Sequence, residues 1–120
     1  ARTHNTVVQT VDITAHAEVN AIRAANRELG DIFLAGATVA TTCEPCPMCM
    51  AALHWARVET VYFGASIADA EDAGFNELNL PASELLERGG SSVRLVGETL
   101  AGPCRELFAE WQANPAKKTY

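Results

Sequence analysis

Cys46 and Cys49 are the residues whose type and spacing most directly suggest metal chemistry. They lie three apart in a Pro-Cys-Pro-Met-Cys segment, where Pro45 and Pro47 mark the entrance of a helix predicted over residues 46–56. Residues three apart on a helix share one side, so both sulfur atoms face the same way. The free N–H groups at a helix start favour the thiolate, which is the form that binds zinc. The segment therefore predicts a pair of anionic zinc ligands.

His16 is the best candidate for a third ligand. It opens a helix predicted over residues 15–29, and Glu18 follows two positions later, whereas His4 and His54 have no comparable neighbour. Catalytic zinc sites commonly use three protein ligands and leave a fourth position for water, whose pKa the metal lowers. On this interpretation Glu18 is not a ligand. Its carboxylate would instead carry protons from the water to the substrate.

Two other interpretations of the cysteines stay open at this point. A Cys-x-x-Cys pair is also typical of redox and structural sites in reducing compartments. Alternatively, Cys43 could join His16, Cys46 and Cys49 in a closed structural zinc site, which would make the chain an interaction module and not an enzyme. A Cys43→Ala variant separates the last two possibilities, because only the structural site would lose its metal.

The composition is that of an ordinary globular domain, predicted over residues 1–120. Hydrophobic residues make up 48% and charged residues 20% of the sequence. No segment is apolar for long enough to cross a bilayer and no signal segment opens the sequence, so we expect a cytoplasmic protein with reduced cysteines. Fifteen acidic residues against nine basic ones give a net charge of −6. A small, weakly charged substrate fits this balance better than tRNA or another long polyanion.

The elements that must position these residues alternate along the chain. Besides the two helices already described, hydrophobic patterns predict strands over residues 38–42, 60–65 and 92–96, and helices over residues 81–88 and 103–112. Strands alternating with helices indicate an α/β layered domain.

The two metal motifs together resemble the signature of the cytidine-deaminase-like superfamily of zinc deaminases. His16-Ala17-Glu18 provides H-x-E, and the segment from Pro45 to Cys49 provides P-C-x-x-C. The likeness covers nearly the whole chain and is greatest to the guanine deaminase and tRNA adenosine deaminase branch, with bacterial guanine deaminases nearest. It implies a three-layer α/β/α fold with a mixed five-stranded sheet and helices on both faces. It also implies one catalytic zinc ion and hydrolytic release of ammonia from a nucleobase or nucleoside, with guanine or a related purine as first choice.

The same resemblance implies a set of substrate-binding residues. Asn5 lies where the family places an asparagine that binds the base, although an asparagine there could also belong to a turn or to the end of a strand. Trp55 matches a pocket tryptophan, although it could also belong to the core. Glu77 falls in Phe75-Asn76-Glu77, where guanine deaminases have Phe-Asp-Asp, so tRNA adenosine, cytosine and other amino-heterocycles remain alternative substrates. The full set is Asn5, Ala17, Trp55, Phe75, Glu77 and Tyr120.

The two ends of the chain carry further expectations. In the family the C-terminal segment is exchanged between the subunits of a homodimer, so Tyr120 is expected to act on the partner's site. Ala1 is not an initiator methionine, and the family's first helix and β-hairpin have no counterpart in this sequence. Without them we expect an exposed apolar sheet face and an unpaired edge, with poor solubility or no activity.

Overall fold

Three parallel strands form the centre of the protein, as seen in a computed structural model that describes residues 1–118. The strands are β1 (Thr38–Cys43), β2 (Thr60–Ala65) and β3 (Arg94–Val96), arranged side by side in the order β1-β2-β3. Thr38 pairs with Thr60, which in turn pairs with Arg94. Neighbouring parallel strands need crossover connections, and helices lie in both of them, between β1 and β2 and between β2 and β3.

Six helices surround this sheet within residues 1–118. They are α1 (Val7–Thr10), α2 (Ala17–Leu29), α3 (Pro47–Trp55), α4 (Ile67–Asp72), α5 (Ala82–Gly89) and α6 (Ala101–Ala113). None of the described helices is long and apolar enough to cross a membrane.

The hydrophobic core lies between one face of the sheet and α2, α3 and α5. Met50 and Leu53 of α3 are fully buried beside Val61 of β2, and Leu86 of α5 joins the same cluster. Ile22 and other partly buried residues of α2 complete it. This face is therefore covered by helices whose apolar side chains interlock with the strands.

Helix α6 covers the opposite face of the sheet. Successive side chains of a strand point to opposite faces, so Gly64 faces away from Val61. A Cβ atom on Gly64 would lie 2.2 Å from Cys104 Sγ of α6. Glycine at this position thus allows the helix to approach the sheet, and the predicted three-layer α/β/α arrangement is confirmed.

The sheet differs from the expected one in size and direction. A mixed five-stranded sheet was expected, whereas the described strands number three and are all parallel. The family's antiparallel strands belong to the β-hairpin that has no counterpart in this sequence, and the connections between the described strands run through helices. Residues 1–6 are irregular and not part of a strand, and β1 borders only β2 among the described residues, leaving a groove of about 440 Å³ along its other side.

Two short helices were not predicted from the sequence. Helix α1 has four residues and α4 has six, lengths at which hydrophobic periodicity gives little signal. Helix α4 is fixed by its first residues. Ser66 Oγ accepts a hydrogen bond from the Asp69 N–H at 3.1 Å, and the Asp69 carboxylate accepts one from the Ser66 N–H at 2.7 Å. This reciprocal pair is a capping box.

Candidate metal centre and adjoining cavity

The starts of α2 and α3 bring three ligand-type side chains together. His16 is the residue before the first turn of α2, and Cys46 holds the same position on α3, both with extended backbone. Cys49 lies in the first turn of α3 and is fully buried. The Sγ atom of Cys46 lies 3.7 Å from Nδ1 of His16, and the ligand atoms of all three residues lie within 4.8 Å of one another.

This group fits a zinc ion in its donor atoms and its dimensions. Bonds of about 2.3 Å to sulfur and about 2.0 Å to nitrogen place the ligand atoms of a tetrahedral zinc roughly 3.5–3.8 Å apart. The 3.7 Å separation already matches, and small side-chain rotations would close the remainder of the shell. One imidazole and two cysteine sulfurs are also ligands that zinc prefers.

Cys43 does not belong to this group. Among the described residues the candidate metal group consists of His16, Cys46 and Cys49 alone. The Cys43 thiol instead donates a weak hydrogen bond to the carbonyl oxygen of Ser66 at 3.8 Å. The closed site with four protein ligands, considered from the sequence, therefore has no support in the geometry.

The two ligand cysteines differ in their protonation. A hydrogen bond from the Cys49 thiol, with a smaller contribution from His16, lowers the pKa of Cys46 to about 4. The same bond raises the pKa of Cys49. The hydrogen bond with Cys46 also raises the pKa of His16. Cys46 is therefore a thiolate at neutral pH, ready to accept a cation.

Glu18 lies against this group without being part of it. Its Oε2 accepts a hydrogen bond from Cys49 Sγ at 3.5 Å, and its Oε1 accepts one from Thr41 Oγ1 at 3.3 Å. Removal from water raises the pKa of the Glu18 carboxyl. A carboxylate with a raised pKa beside a metal group is suited to accept a proton and release it again.

A cavity of about 260 Å³ opens beside these residues. Its lining includes four of the six residues expected to bind substrate, namely Asn5, Ala17, Phe75 and Glu77, together with His16, Glu18 and Cys46. Desolvation raises the pKa of Glu77, and the negative charge of Cys46 raises it further.

Trp55 is not brought to this cavity. Its side chain is 75% exposed and borders a separate depression with His54 and Arg57. Trp55 ends α3, nine residues after Cys46, which is about 13 Å along a helix. The expected pocket role for Trp55 within its own chain is therefore not supported. Tyr120, the last expected substrate residue, lies outside the described residues.

One wall of the cavity was not anticipated from the sequence. It comes from α6, through Cys104, Leu107, Phe108 and Trp111. The rings of Phe75 and Trp111 stack with centroids 4.6 Å apart and a tilt of 32°. The spacing of these α6 residues was a visible signal, since i, i+3, i+4 and i+7 mark one helix face. Periodicity alone could not tell whether that face met the core or a cavity.

Asn20 positions the segment that carries Asn5. Its side-chain amide donates hydrogen bonds to the carbonyl oxygens of His4 and Ala15 and to Thr6 Oγ1, at 3.0–3.2 Å. The Asn5 side chain itself accepts one from the Val7 N–H at 3.0 Å. These bonds fix the irregular start of the chain against α2 and present Asn5 to the cavity.

Known proteins resemble this chain in sequence and in fold. The chain is 44% identical over 90 residues to guanine deaminase of Bacillus subtilis (strain 168), covering 70% of this chain and 58% of that protein. It is 46% identical over 65 residues to tRNA-specific adenosine deaminase of Agrobacterium fabrum, covering 54% and 43%. The solved structure of guanine deaminase from Nitrosomonas europaea superimposes with a TM-score of 0.84 at 26% identity, covering 93% and 64%. The chain thus spans less than two thirds of each of these three relatives.

The family assignment rests on the N-terminal half of the chain. Residues 1–65, just over half of the 120, match the cytidine and deoxycytidylate deaminase zinc-binding region. The match includes both helix starts described above, with the candidate ligands His16, Cys46 and Cys49 and the adjacent Glu18. The chain belongs to the cytidine and deoxycytidylate deaminase zinc-binding family.

Proposed function

We propose that this protein hydrolytically removes the amino group of a purine base, with guanine as the preferred substrate. The observation that carries the proposal is one cavity lined by His16 and Cys46 of the metal group and by three carboxylates, Glu18, Glu44 and Glu77. A base bound in this cavity would have Glu18, as the proton carrier, and the metal group next to the same edge of its ring. The identity to a guanine deaminase over 70% of this chain supports the choice of base.

The roles of the residues follow from their positions. A bound zinc ion supplies Lewis acidity and lowers the pKa of water. His16, Cys46 and Cys49 would hold the ion. Glu18 takes one proton from the attacking water and delivers it to the ring nitrogen. It then takes the second proton from the hydroxyl formed on the ring carbon and delivers it to the amine, so that the C–N bond breaks and ammonia leaves the oxo ring. Its raised pKa helps it work in both directions near neutral pH.

Recognition of the base is assigned to polar groups around the aromatic wall. An ionised carboxylate only accepts hydrogen bonds. Glu77 therefore favours a ring edge with an N–H donor, such as the N1–H of guanine, over the bare N1 acceptor of adenine. Asn5 offers both a donor and an acceptor to the base, and Phe75 offers a flat apolar surface.

A substrate panel tests this proposal directly. Zinc-loaded protein is incubated with guanine, other bases, nucleosides and tRNA, and released ammonia is measured. We expect the highest kcat/KM with guanine, and Glu18→Gln should retain zinc but lose about two orders of magnitude or more in turnover. Undiminished turnover of Glu18→Gln at full zinc content would place the proton carrier elsewhere.

Adenosine in tRNA is the second candidate substrate, favoured by the tRNA-specific relatives. Such an enzyme accepts an unpaired base held by a polyanion. Its binding would weaken steeply with salt, since Lys and Arg contacts release counterions. The net charge of −6 goes against it. Salt-dependent tRNA binding together with inosine formation would displace guanine as the substrate.

The assembly is also a proposal. We expect a homodimer with exchanged C-terminal segments in which Tyr120 reaches the partner's cavity. Light scattering coupled to gel filtration measures the mass, and deletion of Tyr120 should raise KM without releasing zinc. A single domain over residues 1–120 and a cytoplasmic location remain predictions from the sequence.

A further inference from the structure

The side chain of Glu44 joins two helix starts that lie far apart in sequence. Its Oε2 accepts a hydrogen bond from the Ile67 N–H at 3.1 Å, and its Oε1 accepts one from the Ala82 N–H at 2.8 Å. The N–H of Glu44 itself donates to the carbonyl oxygen of Ala65 at 2.7 Å. Glu44 lies two residues before Cys46 in the sequence and itself lines the cavity.

The two hydrogen bonds bracket one segment of the chain. Ile67 is the first residue of α4 and Ala82 the first residue of α5. Between these helices, residues 75–81 contain no helix or strand, and this stretch carries Phe75 and Glu77 into the cavity. One carboxylate thus binds the start of α4, which precedes this stretch, and the start of α5, which directly follows it.

Other hydrogen bonds of this segment are local, including one from the Asn79 side-chain amide to Glu71 Oε1 at 3.2 Å. Among the described residues, the Phe75 N–H donates to the Ala70 carbonyl at 3.2 Å and the Leu80 N–H to the Leu78 carbonyl at 2.7 Å. Both bonds are local and neither reaches the metal group. Hydrogen bonds to an ionised carboxylate are stronger than those between neutral groups. The hydrogen bonds of Glu44 and the packing of Phe75 against α6 therefore both help to set the position of Glu77 relative to Cys46.

We propose that Glu44 is a positioning residue that sets where Phe75 and Glu77 stand relative to the metal group, and so controls substrate affinity and base selectivity. Both of its oxygens are engaged by backbone donors, so it acts through the segment and not by carrying protons. This inference rests on the proposed function, in which Glu77 contacts the base.

Two substitutions of Glu44 test the inference. Glu44→Gln keeps the length of the side chain but replaces one acceptor by an NH2 group that faces a backbone donor, and Glu44→Ala removes both acceptors. We expect normal zinc content in both. KM should rise about tenfold in Glu44→Gln and more in Glu44→Ala, with kcat changing about threefold or less, because a misplaced contact weakens binding. The ratio of kcat/KM between the best and the second-best base should fall from wild type to Glu44→Gln and fall further in Glu44→Ala.

Asp31→Asn is the matched control. The Asp31 carboxylate also accepts a backbone hydrogen bond, from the Phe33 N–H at 2.9 Å, but in an exposed loop away from the cavity. Its KM and base preference should equal those of the wild type. Hydrogen exchange of the Ile67 and Ala82 amides, and of residues 73–81, is followed in parallel. We expect exchange at these sites to be faster in both Glu44 variants than in the wild type. In Asp31→Asn it should equal that of the wild type.

Several results would overturn the inference. Unchanged KM and base preference in zinc-loaded Glu44→Ala would do so, as would a loss confined to kcat, which would assign Glu44 to the chemical step. Equal exchange in wild type and Glu44→Ala would refute it without any assay of activity. The kinetics use whichever base the wild type deaminates fastest. A wild type inactive on guanine therefore counts against the proposed substrate and not against Glu44.

Discussion

Cys43 and Cys46 lie three residues apart but have different surroundings. Cys46 is beside the Cys49 thiol and the His16 ring, and its pKa is lowered to about 4. Burial raises the pKa of Cys43 to about 12, and the negative charge of Glu77 adds to the effect. The Cys43 sulfur is thus a neutral thiol directed at a backbone carbonyl. Composition and spacing alone did not separate these two cysteines, because the difference arises from what the fold places around each sulfur.

Replacing Cys43 with Ala should therefore leave zinc binding intact. We expect one zinc ion per chain in Cys43→Ala, because the candidate ligand group does not include Cys43. Cys46→Ala should lose most of the metal, since it removes a sulfur ligand. Metal content measured by atomic emission after dialysis compares the two variants. A Cys43→Ala protein purified without zinc would restore the structural-site interpretation.

At the scale of elements, the sequence predicted the three strands and the four longer helices and missed the two short helices α1 and α4. Strand β2 was predicted over its full length, and α2 and α3 were each predicted to start one or two residues too early. The reason is that His16 and Cys46 are N-cap residues with extended backbone, which a periodic pattern includes in the helix. Ser66 and Asp69 did carry the S-x-x-D signal for α4. Whether α6 faced core or cavity depended on tertiary packing and could not be predicted.

The cap of α4 makes its stability depend on pH. The hydrogen bond from the Ser66 N–H lowers the pKa of Asp69 below its usual 3.8, with Arg105 contributing through bonds of 3.0 and 3.1 Å. A lowered folded-state pKa stabilises the protein above the unfolded-state pKa, and this gain is lost as pH falls through the folded-state value. Asp69→Asn should thus cost about 1 kcal/mol at neutral pH, and the difference from wild type should shrink below about pH 4.

Denaturant unfolding across this pH range measures the effect. Asp72→Asn serves as the control. Asp72 is exposed on the same helix, and its substitution removes the same negative charge as Asp69→Asn. Its free energy of unfolding should stay within about 0.5 kcal/mol of the wild type. A difference between Asp69→Asn and wild type that persisted undiminished in acid would contradict the assigned cause.

At the scale of the whole molecule, the cavity is assembled from both ends of the described chain. Asn5 and Trp111 line it together, and so do Thr41, Thr42 and Cys43 at the carboxyl end of β1. Binding sites commonly form outside the carboxyl ends of parallel strands. The ligands were predictable because their spacing is local, whereas the Trp111 wall and the remote position of Trp55 emerge only from packing.

Zinc should contribute to the stability of the entire structure, because its ligands come from parts of the chain that lie far apart in sequence. His16 and Cys46 are 30 residues apart in sequence, and their helices α2 and α3 both pack into the central core. An ion held between them would join the two helices in the folded state and find no comparable site in the unfolded chain. Free zinc at a hundred times its Kd would add about 2.7 kcal/mol to the free energy of unfolding.

Chelation should therefore lower the Tm by several degrees, and added zinc should restore it. The change is measured by calorimetry on wild type, His16→Ala and His4→Ala. His4 is exposed and outside the ligand group, so His4→Ala should respond to zinc like the wild type. His16→Ala should respond weakly, because one ligand is missing. An equal response in all three proteins would mean that the metal stabilises the chain at a different place from the starts of α2 and α3.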